Sequence, residues 1–452
     1  MERVAERIMN AVQPTHQGHL LRHHLLRYVM DVIQSYLIML KWKAFVSPYG
    51  SIVQCTFLPD ADFDIGVILL LNRGMDTSNL KAQVELVSQG LYLLLKSHNA
   101  ANSMNTANKI TDIQLINAKV QLIRFRLNGY EIDVTFQKPM GLKKSAMFER
   151  FNKYLNTIQP NRENMLKRYC ILIKTWFTYE ARATGGKKGL LSSYALEVFV
   201  IAVVNMFWRE VQTPGRFLIK FFEFYANLDW ESYVMTMYGP YDSLDRFVKL
   251  NKVKNEKPDE PNFPFRPSTA KHLLKDLRMV HVHAVQRYTK GSMNVLDPTD
   301  YSNNAASSVN KNTFKRMSKV FKFGHKVIQD VVSAAQECSG GDGMDKVVEQ
   351  GIGTIFPCTE PIVKLANEAE NNACIGIFGS IEKAQKRVAK DFDVYNNSGW
   401  MLANIELNIP LLSRSDMSVN ELKREASFRK NSIAGSISGS VSGSDIASQH
   451  VG

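Results

Sequence analysis

Apolar residues recur at helical spacing through Leu20, Leu21, Leu25, Leu26, Val29, Val32 and Ile33, so roughly the first 45 residues read as helices. The period then changes. The run Ile65 to Leu71 is continuously apolar and reads as a buried strand, and an amphipathic helix follows from about Asn79 to Ser97. Ile123, Phe125 and Leu127 alternate with Arg124 and Arg126, while Val120 and Leu122 run in the opposite phase. That switch predicts a bulge or a strand covered on both faces. Asn128-Gly129 supplies a tight turn. The return strand Glu131 to Phe136 puts Ile132, Val134 and Phe136 on one face and Glu131, Asp133 and Thr135 on the other.

Helical periodicity dominates from about Phe148 to Tyr225. A helix from Asn164 to Glu180 carries Lys174 in apolar company, and Ser192 and Ser193 are suited to cap the next helix. Between them, Gly185-Gly186-Lys187-Lys188-Gly189 does not match a Walker A motif, and its Lys187-Lys188 either faces phosphate or, the favoured reading, belongs to a solvated loop. Residues 250–270 read as a long polar surface loop. Met279 to Val285 and Asn294 to Leu296 look strand-like, and Asp297 to Asn304 reads as a loop dense in short donors and acceptors. Phe314, Met317, Phe321, Val327 and Ile328 mark the apolar side of a further helix. Lys315, Lys319, Lys322 and Lys326 mark its basic side, which is either a solvated face or a contact for nucleic-acid phosphates. Beyond about residue 365 organisation fades, and the Gly/Ser-rich end from Ser432 to Ser444 reads as disordered.

Composition adds three constraints. A chain of 452 residues has room for two or three domains. Lys and Arg outnumber Asp and Glu by 56 to 43, a net charge of +13 that favours a polyanionic partner. The five cysteines form no C-x-x-C pair, which argues against a disulfide framework or zinc site and fits a reducing compartment. His19 and His23 stand four apart but lack the H-E-x-x-H pattern, and read as helix-surface histidines. With no signal-like N-terminus, and with the apolar run Tyr194 to Trp208 too short to span a bilayer, the expectation is a soluble intracellular protein, nuclear or cytoplasmic.

The candidate chemistry begins at Gly50-Ser51, which is followed after ten intervening residues by Asp62-Phe63-Asp64. On a strand, Asp62 and Asp64 project side by side. Their mutual repulsion is relieved by a divalent cation, and Mg²⁺ is commonly held by one or two carboxylates plus substrate phosphates. A solvated surface D-x-D is the alternative. Asp133, on the polar face of its strand, is the natural third carboxylate, unless it faces water or pairs with Arg124 or Arg126 across the hairpin. Asp391-Phe392-Asp393 repeats the motif without an upstream Gly-Ser or a following apolar strand, and reads as surface.

The ordered set Gly50-Ser51, Asp62-x-Asp64 and Asp133 resembles the DNA polymerase β-like nucleotidyltransferases. Leu172 to Trp176, Gly189 to Leu196 and Asp297 to Asn304 narrow the resemblance to template-independent RNA nucleotidyltransferases, the poly(A) polymerases and terminal uridylyltransferases with a PAP-associated domain. It covers about residues 20–365. It implies an α+β fold, a mixed-sheet palm flanked by helices plus a mainly helical nucleotide-recognition domain. The domains expected are N-terminal helices at 1–45, a catalytic domain at 46–147, a central domain at 148–365 and an extension at 366–452.

By the same resemblance, Asp62, Asp64 and Asp133 hold two Mg²⁺ (Mn²⁺ substituting), which activate an RNA 3′-hydroxyl and steady the triphosphate. Gly50 and Ser51 sit at a helix N-terminus facing phosphate, Lys174 reaches the β/γ phosphates and Ser193 contacts the triphosphate. Tyr194 stacks on the base, a contact worth roughly 1–3 kcal/mol and indifferent to base identity. Base choice falls to Asp297, Asn303 and Asn304, and Asn303, where uridylylating members often carry His, favours ATP over UTP. Departures from the group are Thr178 for a second lysine, no ribose-contacting asparagine around Lys144, and Ala306-Ser307 for Gly-Arg. No RNA-binding module is visible, so the RNA 3′ end is gripped by basic surface such as Lys315, Lys319, Lys322 and Lys326, or delivered by a partner protein. A catalytically silent RNA-binding scaffold and a nucleotidyltransferase for small molecules are the other readings.

Overall fold

Thr15 starts the long second helix of the chain by accepting the Gly18 N–H at 2.9 Å, an N-cap in its usual geometry. The computed structural model describes residues 1–70, 80–101, 108–117, 121–252, 263–277, 282–337 and 341–383. Val120, Met279 to His281, Cys338, the second D-F-D at Asp391 and the Gly/Ser-rich end lie outside them. Helix α1 (Glu2–Val12) buries Val4, Ala5, Ile8, Met9 and Val12, and α2 (His16–Met39) follows. His23 is buried rather than at the surface. His19 packs edge-on against Phe57 at 5.0 Å, and burial followed by nearby Arg22 pushes its pKa down to about 4.

Strands β1 (Ala44–Tyr49) and β2 (Phe63–Leu69) precede α3 (Leu80–Ala101), after which come β3 (Ile110–Asn117), β4 (Gln121–Leu127) and β5 (Tyr130–Phe136). They form one mixed sheet in the order β1-β2-β5-β4-β3, with β2 and β5 parallel and the other pairs antiparallel. Asn128 (φ 52°) and Gly129 (φ 89°) turn the β4–β5 hairpin in the left-handed region that this turn requires. The register irregularity falls between Thr111 and Gln114 of β3, opposite Arg126 and Arg124, and not at the phase switch, where Leu122 and Ile123 pair regularly with Ile116 and Leu115. Helix α4 (Met140–Ile158) packs on the carboxylate side of the sheet, where a Cβ on Gly66 would meet Leu142 at 3.3 Å.

Helix α5 (Met165–Thr175) does not continue as expected to Glu180, because Trp176–Glu180 opens into a π-helical turn. Helix α6 (Ser193–Met206) is buried from Ala195 to Asn205, as its unbroken apolar composition demands. Its polar interruptions are satisfied: Asn205 donates to Met237 O at 3.0 Å and accepts from Phe265 N–H at 2.9 Å. Next come α7 (Pro214–Asn227), the short strands β6 (Val234–Thr236) and β7 (Gly239–Tyr241), α8 (Leu244–Lys252) and α9 (Pro267–Leu273). The polar stretch 250–270 is thus helical at both edges.

The strand expected through Val285 is instead a 3₁₀ helix, Val282–Arg287. Val285 joins a small cluster with Val234, Phe247, Leu296 and Tyr301, one apolar contact that a helical turn makes without a pairing strand. The stretch expected as a loop is a hairpin of β8 (Leu296–Asp297) and β9 (Asp300–Asn304). Helices α10 (Lys311–Glu337), α11 (Gly341–Ile355) and α12 (Thr359–Phe378) complete the described chain. Order therefore persists past residue 365, and α12 ends at Gly379 with φ 82°, the left-handed stop of many helices. Among the described residues no helix is long and apolar enough to cross a membrane.

Phe321 of α10 sits among Phe177, Phe221, Tyr225 and Trp230, with ring centroids 5.3–6.4 Å away. Gly324, one turn on, lets α10 approach α7: an added Cβ would lie 2.3 Å from the Phe222 ring, which Trp176 holds from the side at 4.6 Å. Gly324→Ala is expected to cost about 1–3 kcal/mol, as overpacking does, and to lower the thermal midpoint followed by circular dichroism. An unchanged midpoint would show that the ring yields.

Candidate active site

Asp64 and Asp133 are paired in the parallel register of β2 and β5, on strands that lie roughly 4.8 Å apart. Asp62 immediately precedes β2, and Glu131 sits two residues before Asp133 on the same face. Carboxylate oxygens of Asp62, Glu131 and Asp133 come within 4.8 Å of one another. Strand alternation puts Glu131 on this polar face, but no motif in the sequence marks it as a ligand. Asp64 approaches the turn after β1: a Cβ on Gly50 would lie 2.8 Å from its Oδ2, and Gly50 has φ +77°. Glycine is required there on both counts.

Arg124, across the hairpin in register with Asp133, forks onto it with Nε–Oδ1 at 2.7 Å and Nη2–Oδ2 at 2.5 Å, and its Nε lies 3.0 Å from Glu131. Asp133 is thus paired across the hairpin with Arg124, and is buried behind it. One guanidinium faces three carboxylates, so negative charge remains in excess. Although the Asp62 residue is exposed by surface area, the protein around its carboxyl group shifts its pKa upward. Desolvation is the main cause, followed by the charges of Asp133 and Glu131, with Arg124 opposing. A donor set made only of crowded carboxylate oxygens, with negative charge in excess, fits a hard divalent cation.

A second cluster forms around Asp297, which is fully buried. Its Oδ1 accepts from Tyr194 OH at 2.6 Å and from the Thr299 hydroxyl and N–H at 2.6 and 2.8 Å. Its Oδ2 accepts from Asn303 Nδ2 at 2.8 Å and pairs with Lys144 Nζ at 3.0 Å. Burial alone would raise its pKa. Lys144 and the donated hydrogen bonds more than offset this, and hold it below the ordinary aspartate value. The Lys144 ammonium also lies 3.7 Å over the Tyr194 ring. Asn304 faces elsewhere: its Oδ1 accepts from Val295 N–H and Ala306 N–H and its Nδ2 donates to Met293 O, so it shapes the hairpin backbone.

Adjacent residues of α4 join the two clusters. Lys144 pairs with Asp297, and Ser145 Oγ accepts the Gly50 N–H at 2.8 Å. Gly50 and Ser51 begin a run of turns through Cys55, not the helix expected there, with Gln54 N–H bonded to Gly50 O and Thr56 N–H to Ser51 O. Ser193 is exposed at the start of α6, whose cap is Ser192. Lys174 is buried, donating to Glu197 at 2.6 Å and to Thr56 at 2.9 Å, so in this conformation its charge is spent inside the protein. Lys315, Lys319, Lys322 and Lys326 are all exposed on α10.

A family model described as the poly(A) RNA polymerase, mitochondrial-like, central palm domain matches residues 1–153. A second, the PAP/OAS1 substrate-binding domain, matches residues 160–348. No curated protein sequence matches the chain. Similar solved structures include the Cid1 poly(U) polymerase bound to MgGTP, 14% identical over 76% of this chain and 97% of that one, with a TM-score of 0.49. The polymerase core of TRAMP, an RNA surveillance complex, is 17% identical over 78% of this chain and 92% of that one, also at 0.49. At that distance the assignment rests on the two family models and the site. The chain belongs to the nucleotidyltransferases of the poly(A) polymerase and terminal uridylyltransferase group, with the α+β architecture expected of it.

Crowding at Asp62 has a thermodynamic signature. Because its folded pKa lies above the ordinary 3.8, protonation favours the folded state, and stability falls as pH rises through the carboxylate range and stays lower at neutral pH. Asp62→Asn is therefore expected to raise the thermal midpoint at pH 7 in the presence of a chelator, with the advantage narrowing as pH approaches 3.8. A lower or pH-independent midpoint would contradict the clustering.

Proposed function

We propose that the protein extends RNA 3′ ends without a template, using Mg²⁺ and preferring ATP. The observation that carries this reading is the linkage through α4, where consecutive residues hold the turn beside the carboxylates and the hairpin beside Tyr194. A catalyst of nucleotidyl transfer needs those two parts in fixed relation, since positioning and charge neutralisation do most of the work.

Asp62, Asp64, Glu131 and Asp133 are the residues that would hold divalent cations. When bound, these supply neutralisation of charge at the attacking and leaving oxygens. Arg124 holds Asp133 in one orientation and limits the repulsion among its neighbours. Gly50, lacking a side chain, lets a phosphate approach the backbone of its turn. Tyr194, fixed through its hydroxyl to Asp297, presents a ring on which a base can stack. Lys144 places a cation at this platform, whereas Lys174 must leave Glu197 to reach a phosphate.

Asn303 supports the choice of ATP. An ionised carboxylate only accepts hydrogen bonds, so the Asn303 group facing Asp297 is its NH₂. Its carbonyl oxygen is then left as an acceptor, which suits the exocyclic amino group of adenine and not the O4 of uracil. The exposed lysines of α10, with Phe323 beside them at 60% exposure, offer RNA phosphates and bases a basic, partly aromatic surface.

The test is extension of a labelled oligoribonucleotide by purified protein with Mg²⁺ and each NTP separately. Extension with ATP, abolished in Asp62→Ala/Asp64→Ala protein that still folds, is expected. Preferential extension with UTP would move the assignment to a uridylyltransferase. No extension with any NTP, with Mn²⁺ and alternative RNAs also failing, would leave an RNA-binding scaffold.

A further inference from the structure

Helix α12 lies beyond the last residue matched by either family model. Two of its contacts nevertheless lead to the backbone that delivers Asp62. At its start, Glu180 accepts the Cys358 N–H at 3.0 Å and the Thr359 hydroxyl at 2.7 Å, and the adjacent Tyr179 donates to Asp60 Oδ1 at 2.8 Å. Farther along, Glu370 Oε1 accepts from Arg22 at 2.5 Å, and Thr15 donates to its Oε2 at 3.1 Å. The other terminal nitrogen of Arg22 donates to Pro59 O at 2.5 Å. Pro59 and Asp60 thus each have a tether, and Asp62 is two residues away.

Arg22 lies behind the acidic cluster. Its guanidinium is 4.3 Å from the Phe57 ring centroid, 5.5 Å from that of Tyr130 and 5.9 Å from that of Phe63. Phe63 is the middle residue of the Asp62-Phe63-Asp64 motif and Tyr130 precedes Glu131, so these rings occupy the sheet face opposite the carboxylates. The side chains of Arg22 and Glu370 are 1% and 4% exposed. A buried ion pair is often no more stabilising than two apolar residues of similar size. What a hydrophobic pair could not supply is the donor to Pro59 O. Space for the pair is reserved at Gly18, where an added Cβ would lie 2.6 Å from Glu370 Oε2.

We propose that α12 is a positioning element for the metal-binding carboxylates: Glu370 holds Arg22, and Arg22 with Tyr179 fixes Pro59-Asp60 and hence the reach of Asp62 toward a divalent cation. This rests on the cation reading of the acidic cluster given above. Arg22, Tyr179 and Glu370 act through the backbone, as outer-shell partners of a metal site do.

Mn²⁺ binding to the full chain, followed by electron paramagnetic resonance without RNA or NTP, tests the proposal alongside thermal midpoints. Asp62→Asn is the control for the site. Glu370→Gln is expected to weaken Mn²⁺ binding about 10-fold or more, the usual cost of losing an outer-shell partner, and to lower the midpoint. Arg22→Met/Glu370→Leu is expected to recover the midpoint but not the affinity, because no donor to Pro59 O remains. Wild-type affinity in Glu370→Gln, or affinity that returns with the midpoint in the double variant, would reduce α12 to a structural prop. Wild-type binding indifferent to Asp62→Asn would instead overturn the cation reading, and the positioning role with it.

Discussion

Repulsion among carboxylates at one end of two parallel strands is the constraint to which the rest of the structure answers. Asp62, Glu131 and Asp133 converge, Asp64 stands in register with Asp133, and only part of this charge is matched by Arg124. Such an arrangement is unfavourable in isolation. It persists because the strands beneath are anchored by a continuous apolar core in which Phe63, Ile65, Val67, Ile132 and Val134 are essentially inaccessible to water. Stability is concentrated on one face of the sheet and strain on the other, the usual division at a catalytic site.

Buried charge recurs wherever two elements must keep a fixed relation. Asp297 joins the hairpin to α6 and α4, Lys174 and Glu197 join α5 to α6, and Arg22 and Glu370 join α2 to α12. Each pair gives up hydration, and Coulomb attraction alone returns little net stability. Directional hydrogen bonds return orientation: every one of these groups has a third partner, Thr299 for Asp297, Thr56 for Lys174 and Pro59 O for Arg22.

Much of this was legible in the chain. Strand alternation placed Glu131, Asp133 and Thr135 on one face, and the Asp62-x-Asp64 spacing placed two more carboxylates beside them. Ser192 capped its helix as composition suggested. What stayed hidden depends on partners distant in sequence. Lys174 looks free to meet a ligand until Glu197, on another helix, is seen at 2.6 Å. The role of Lys144 required Asp297 to fold back over α4, and the Asp297–Asn304 hairpin is stabilised by those contacts rather than by any strand signal of its own. Helix α12 lacks a strongly amphipathic pattern, because its charged Glu370 faces inward.

Lys144 and Ser145 are neighbours on a helix, so their side chains point about 100° apart, and each reaches a different part of the site. The consequence is a rule of phase. Inserting a single residue between the two would set them about 200° apart, so that α4 could keep one contact, with Gly50 or with Asp297, only by giving up the other. The adjacency of Lys144 and Ser145 is therefore fixed, whereas the connection at 137–139 ahead of α4 can vary in length without changing their phase.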